Sequence, residues 1–252
     1  MRKDGRATHD EQSYRELAPG AALRPWVECF WERREARRAA RSQILPDGCA
    51  DFLFDRAGGR AWLIGAMSRP FEFVPDGPVD LFAVRFRPGG AHAVLRAALE
   101  PWTDGRLELG ELGRWGSRLA ALVEDELAPG ELALRVEAAL VSRLANARVD
   151  AVDRVLREME RDPAAFRVGP AADSAALSRQ WLTRVVRARA GLGPKALAAI
   201  LRLRRTLAAA NGGRGLAEAA LAGGYADQAH FTREARRITG STPTTLVAAR
   251  GA

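Results

Sequence analysis

Hydrophobic and polar positions change their spacing along the chain. Between residues 44 and 87 short apolar runs are broken by turn residues: "ADFLFD" (50–55), "RAWLIGAM" (60–67), "FEFV" (71–74) and "DLFAVRFRPGG" (80–90). Runs of this length bounded by Gly, Pro and Asp are strand signals. In the last, Phe82, Val84 and Phe86 alternate with Ala83, Arg85 and Arg87, the period of two of a half-buried strand. After Pro88 the pattern turns helical, with "AHAVLRAALEPW" (91–102), "RLAALVEDEL" (118–127) and the long run 132–162, and no further strand is expected. Leu132, Val136, Leu140 and Leu144 recur four apart in that run. Such a stripe either packs on the β-rich part or pairs two protomers, and a homodimer with this region contributing is expected.

Near the end, "GGYADQAHFTREARRITGSTP" (223–243) places two glycines, a helix cap and a basic helix in a short span. Asp227 is a good N-cap, because its carboxylate can accept from the free N–H groups of the first turn. Phe231, Ala235 and Ile238 then make one apolar stripe, with Ala229, Thr232, Arg233 and Arg236 on the opposite side and Gln228 in the first turn. Upstream, "GLAEAALAGGY" supplies a short helix whose Ala220 allows close packing beside a glycine turn. Short helix, tight turn and capped polar helix predict a helix-turn-helix whose second helix can enter a major groove.

A second copy lies upstream in "VGPAADSAALSRQWLTRVVRARAGLGP" (168–194). Ser178 is its cap and Leu182, Val185 and Val186 its buried stripe, while Gln180, Thr183, Arg184 and Arg187 face away beside Arg179, and Trp181 sits on the flank. Between the units, "PKALAAILRLRRTLAAA" reads as a helix of roughly 26 Å at ~1.5 Å per residue, opened by a proline and stopped at Asn211 and Gly212. Two such helices on one strut could reach successive major-groove faces about 34 Å apart.

Over residues 148 to 248 these motifs resemble the DNA-binding domain of AraC/XylS-type transcription regulators, the terminal "TGSTP" included. "LPDGCADFLF", the "GAM" after Trp62 and "VRFRPGG" resemble the sensing domain of one subgroup. The resemblance implies an α+β chain of two domains: a small cupin-like β domain with helices over 1–145, β-rich to about 87, then an all-α domain over 146–252 with two helix-turn-helix units and a linking helix. It implies base reading by Gln180, Thr183 and Arg184 in the first unit and by Gln228, Ala229, Thr232 and Arg233 in the second. Two positions depart from the family pattern. Ala176 stands where a turn glycine is usual, which bears on the turn geometry, and Ala235 stands where a core Phe is usual, which implies a thinner core.

Charge sharpens this division. The chain has 252 residues and a net charge of +8, with 18 Arg and Lys against 9 Asp and Glu from Arg148 onward and 21 against 22 before it. The excess therefore lies wholly in the part expected to meet a polyanion. Only Lys3 and Lys195 accompany 37 arginines, a bias that GC-rich coding can produce but that does not explain the asymmetry. The leader lacks the apolar segment of a signal peptide, and no run reaches the length of a membrane span, so a cytoplasmic protein is expected.

Candidate chemistry is sparse. Cys29 and Cys49 are too few for a disulfide framework, and His9, His92 and His230 are scattered, so neither a metal nor a cofactor is expected. His230 adjoins the reading surface, where a phosphate contact and a merely solvated ring are equally open. An enzyme with Cys49 as nucleophile and His92 as base lacks an oxyanion-hole signature. Many aromatics of the amino-terminal half are plain core, yet Trp31, Trp62, Phe54 and Arg85 are candidates to line a small-molecule pocket. The sequence thus points to a regulator, activator in type, that binds double-stranded DNA, responds to a small-molecule effector and meets RNA polymerase. The alternative is an architectural or partner-controlled DNA binder.

Overall fold

The computed structural model describes residues 12–35, 41–125, 127 and 130–248; the start of the polar leader, with His9, lies outside them. The described strands are β1 (Gln12–Leu17), β2 (Val27–Glu35), β3 (Ser42–Ile44), β4 (Ala50–Asp55), β5 (Arg60–Ile64), β6 (Phe71–Phe73), β7 (Val79–Phe86) and β8 (Arg106–Glu108). Six form an antiparallel sheet in the order β1-β2-β7-β4-β5-β8, and β3 pairs with β6. Phe30, Phe52, Phe54, Phe82 and Phe86 project from one sheet face. They pack against α1 (Gly90–Leu95), α2 (Gly113–Ala121) and α3 (Glu131–Leu144). Each such side chain, fully buried, contributes about 1.5–3 kcal/mol of transfer free energy.

Three strands fall outside the expected span. β1 and β2 precede it, and β2 reads as charged because Glu32 and Glu35 are buried in partnership, with Arg15 at 2.7 Å and Arg33 at 2.5 Å. β8 follows the expected last strand; three residues pairing with the edge strand β5 leave no alternation to detect. The helical runs are also shorter than expected: 91–102 is helical only to Leu95 before a 3-10 turn, and 118–127 ends at Ala121.

The run 132–162 is two helices, α3 and α4 (Ala151–Arg161), divided at 145–150. Asp150 restarts the chain as an N-cap: its carboxylate accepts from Asp153 N at 3.0 Å while Asp153 accepts from Asp150 N at 3.0 Å. The α3 stripe of Leu132, Val136, Leu140 and Leu144 is buried in the chain's own β-rich core. Of the two roles open to this stripe, the structure takes the first, packing on the β-rich part, so its apolar surface is already covered within the protomer.

A second core belongs to α4, α5 (Val168–Ser174), α6 (Arg179–Ala190), α7 (Pro194–Asn211), α8 (Leu216–Ala222), α9 (Gln228–Thr239) and α10 (Pro243–Ala248). The amino-terminal part rests on α6 and α7. Leu99 N donates to Ala188 O at 2.7 Å, and Thr103 Oγ1 donates to Gly191 O at 2.6 Å. Arg204 of α7 pairs with Glu28 of β2 at 3.1 Å, and Arg87 pairs with Glu160 of α4 at 2.5 Å. Cys49 lies in this junction, its thiol donating to Glu28 at 3.2 Å.

Candidate nucleic-acid interface

The two helix-turn-helix units are built alike. In the first, Leu177 N donates to Ala172 O at 2.9 Å across the turn; in the second, Tyr225 N donates to Ala220 O at 3.0 Å. The residue before each donor is left-handed, Ala176 at φ 53 and Gly224 at φ 76. Ala176 thus keeps the turn that a glycine would make, at a steric cost of roughly 1–2 kcal/mol for an L-residue. Gly224 is constrained twice over, since a Cβ there would stand 2.6 Å from Ala164 Cβ.

Each reading helix is capped as its sequence predicts. Ser178 Oγ accepts from Trp181 N at 3.1 Å, and Asp227 Oδ1 accepts from His230 N at 2.6 Å. Leu182 and Val186 seat α6, with Val185 only partly buried; Phe231, Ala235 and Ile238 seat α9. Arg202 of α7 steadies α9 by pairing with Glu234 at 2.6 Å, while its guanidinium stacks 4.3 Å from the Tyr225 ring. Sequence reasoning missed this brace; a charged residue within an apolar helix stripe was its one visible sign.

On α6, Arg179, Gln180, Thr183, Arg184 and Arg187 are exposed; on α9, Gln228, Ala229, Arg233 and Arg236 are exposed and Thr232 is half-buried. Arg184 lies 4.2 Å over the Trp181 ring, which flattens the guanidinium along the helix. Thr183 and Thr232 hydroxyls donate to the carbonyls of Arg179 and Gln228, both at 2.8 Å. With that proton committed, each threonine offers its methyl and one acceptor. Arg233 and Arg236 form no ion pair with a described residue. His230 is drawn into local structure: Nδ1 accepts from Ala226 N at 3.4 Å and Nε2 lies 3.6 Å from Glu234. Arg187 is set apart, because its Nε pairs with Glu100 of the amino-terminal part at 2.8 Å.

The four pocket candidates divide between two faces of the sheet. Trp31, Arg85 and Trp62 lie on the face away from the core, following the registers Trp31↔Ala83, Asp51↔Arg85 and Leu53↔Trp62. Phe54 is one residue out of phase with them and fully buried in the core, so strand parity takes it out of the set. Arg85 is surrounded by Asp47 at 3.4 Å, Glu16 at 3.6 Å and Asp51 at 3.8 Å, and its guanidinium is 6.0 Å from the Trp31 ring. Trp31 Nε1 donates to Asp51 at 3.3 Å. Burial pushes the Asp51 carboxyl up to about 7, against the pull of Arg85. Trp62 is nearly buried, with the Arg106 guanidinium 5.3 Å from its ring.

Residues 15–108 match the family model of a domain of unknown function (DUF6597), and residues 171–249 match that of a helix-turn-helix domain. No curated protein matches the chain. Among solved structures, the chain is similar to ToxT from Vibrio cholerae, at 11% identity over 94% of this chain and 97% of that one, with a TM-score of 0.47. It is similar also to unsaturated fatty acid bound wild-type ToxT from Vibrio cholerae strain SCE256, at 11% identity over 96% of both chains with a TM-score of 0.46. A third is ToxT from Vibrio cholerae O395 bound to (E)-4-(8-methylnaphthalen-1-yl)but-3-enoic acid, at 11% identity over 94% and 98% with a TM-score of 0.47. The chain thus carries an amino-terminal domain that matches the DUF6597 family model, followed by a helix-turn-helix domain.

Proposed function

We propose that the protein is a sequence-specific transcription regulator that reads duplex DNA with α6 and α9. The observation that carries this reading is the pair of helices, capped alike on either side of α7 and exposing Gln, Thr and Arg side chains. Gln228 offers its amide to an adenine edge, and Arg233 suits O6 and N7 of guanine. Arg236, nearer the end of α9, meets phosphate. Arg179 and Arg184 line the corresponding part of α6. The division between the domains is placed near residues 145/146, in the connection between α3 and α4.

A binding selection on randomised duplex, run at two salt concentrations, tests the assignment. Arg233→Ala is expected to lose about 1–3 kcal/mol on the selected site and to relax one base pair. Arg236→Ala is expected to weaken all sequences alike and reduce the salt slope by about one ion. If Arg233→Ala keeps its full base preference, that residue is not a base reader. If the wild type selects no motif, the architectural alternative replaces this reading.

The finer assignments belong to the same proposal. The protein acts in the cytoplasm as an activator that meets RNA polymerase, and its amino-terminal domain takes the controlling effector. It pairs as a homodimer through the outward side of α3, where Leu134 is 69% and Val141 39% exposed. Sedimentation with and without duplex checks the pairing, which a strict monomer in both states refutes. Catalysis by Cys49 is disfavoured, because burial pushes its thiol well above the ordinary range and a nucleophile needs the thiolate.

A further inference from the structure

The two domains flank an open cleft of about 490 Å³ that the DNA-reading surface does not use. Arg24, Pro25 and Arg87 line it from the sheet side, and Arg157, Glu160 and Arg161 line it from α4. Four guanidiniums therefore face a single carboxylate. That carboxylate is committed, since Glu160 accepts from Arg87 Nη1 at 2.5 Å; Arg87 Nε also donates to Arg24 O at 3.0 Å. Arg157 lies 5.9 Å over the Trp26 ring, and its Nη2 is buried without a hydrogen-bond partner. Arg24 and Arg161 stand exposed at the mouth without an ion pair to a described residue.

We propose that this cleft binds a small organic polyanion, carrying two or three negative charges on carboxylates or phosphates, with its body along Pro25. The volume suits a metabolite-sized ligand. Guanidiniums pair bidentately with both kinds of oxyanion, which is the recognition chemistry shared by the two. Arg157 supplies the inner contact, and Arg24 and Arg161 close over the outer charge. Because Arg24 and Arg87 belong to one domain and Arg157 and Arg161 to the other, the ligand holds the domains together beside the Arg204–Glu28 bridge. Its regulatory meaning rests on the regulator reading above, but its binding does not.

The test is calorimetry of the full chain with citrate and, separately, with pyrophosphate, at an ionic strength fixed with sodium chloride and without DNA. Saturable one-to-one binding of at least one probe is expected, and the stronger arm says whether carboxylate or phosphate is preferred. Arg161→Gln and Arg24→Gln, both at exposed positions, should each weaken it about tenfold, the worth of one charge-assisted contact. Arg114→Gln on the distant α2 should leave it unchanged. The proposal is overturned if neither probe binds up to millimolar concentration, or if Arg114→Gln weakens binding as much as Arg161→Gln. It is overturned equally if Arg161→Gln leaves probe binding intact and lowers the salt slope of DNA binding, which would make the cleft a phosphate track. Loss of DNA selection with intact probe binding would instead sink the regulator reading alone.

Discussion

Ala176 and Gly224 occupy the same position in two turns, and exchanging their side chains should move stability in opposite directions. Ala176 sits at φ 53, where an L-residue is strained by roughly 1–2 kcal/mol. Ala176→Gly removes that strain but loosens the unfolded chain, which costs about 0.4–1 kcal/mol. The net expectation is a gain of roughly 0.5–1 kcal/mol from these two terms. Gly224→Ala adds the strain at φ 76 and sets a Cβ 2.6 Å from Ala164 Cβ, closer than side-chain atoms approach. A loss of at least ~2 kcal/mol is expected there, once overpacking is added to strain. Urea titrations of both variants read the difference as a shift in midpoint at constant slope. If Ala176→Gly destabilises the chain, the left-handed turn is not the conformation this residue holds.

Glu100→Gln should free Arg187 and tighten DNA binding, with a stability change no larger than about 1 kcal/mol because the pair is exposed; gel-shift titration beside thermal unfolding separates the two effects. Thr232→Ser should relax the site preference in a binding selection, since it keeps the hydroxyl acceptor and removes the methyl that can meet a thymine methyl. Asp51 ordinarily titrates near 3.8, and burial carries it to about 7, so the folded chain holds the proton more tightly than the unfolded one. Its burden on stability is therefore absent below about 3.8 and fully present above about 7, and stability should fall as pH rises between them. The emission of Trp31, which donates to this carboxylate, should step near pH 7, and Asp51→Asn should abolish the step. Burial also pushes the Cys29 thiol up to about 12, so alkylation of native protein at neutral pH should be slow at both cysteines, as mass spectrometry after a timed quench would show.

The reading helices were legible because their signals are local. A cap, a turn and an apolar stripe all lie within fifteen or so residues of one another, and α6 and α9 begin one residue after the caps that Ser178 and Asp227 supply. β4 and β7 were legible for the same reason, as short apolar runs bounded by turn residues, with the alternation of Phe82, Val84 and Phe86 added in β7. What escaped depends on partners distant in sequence. β2 is a central strand only because Arg15 neutralises Glu32 and β7 covers its other edge. Phe54 was placed beside Trp31 and Trp62 by composition, while strand parity, which depends on register, sends it to the other face. The pairing of Arg187 with Glu100 crosses the domain junction, and no spacing rule within either segment announces it.

That junction touches the two reading helices unequally. Leu99, Glu100 and Thr103 reach the end of α6 and the residue that follows it, whereas among the described residues the pair that braces α9, Arg202 with Glu234, lies within its own domain. In the regulator proposed above, a signal from the amino-terminal domain would reach α6 directly and α9 only by way of α7, through Arg204 and Arg202. Were that proposal to hold, a site with a strong sequence under α9 and a weak one under α6 would respond to the signal more steeply than the reverse arrangement.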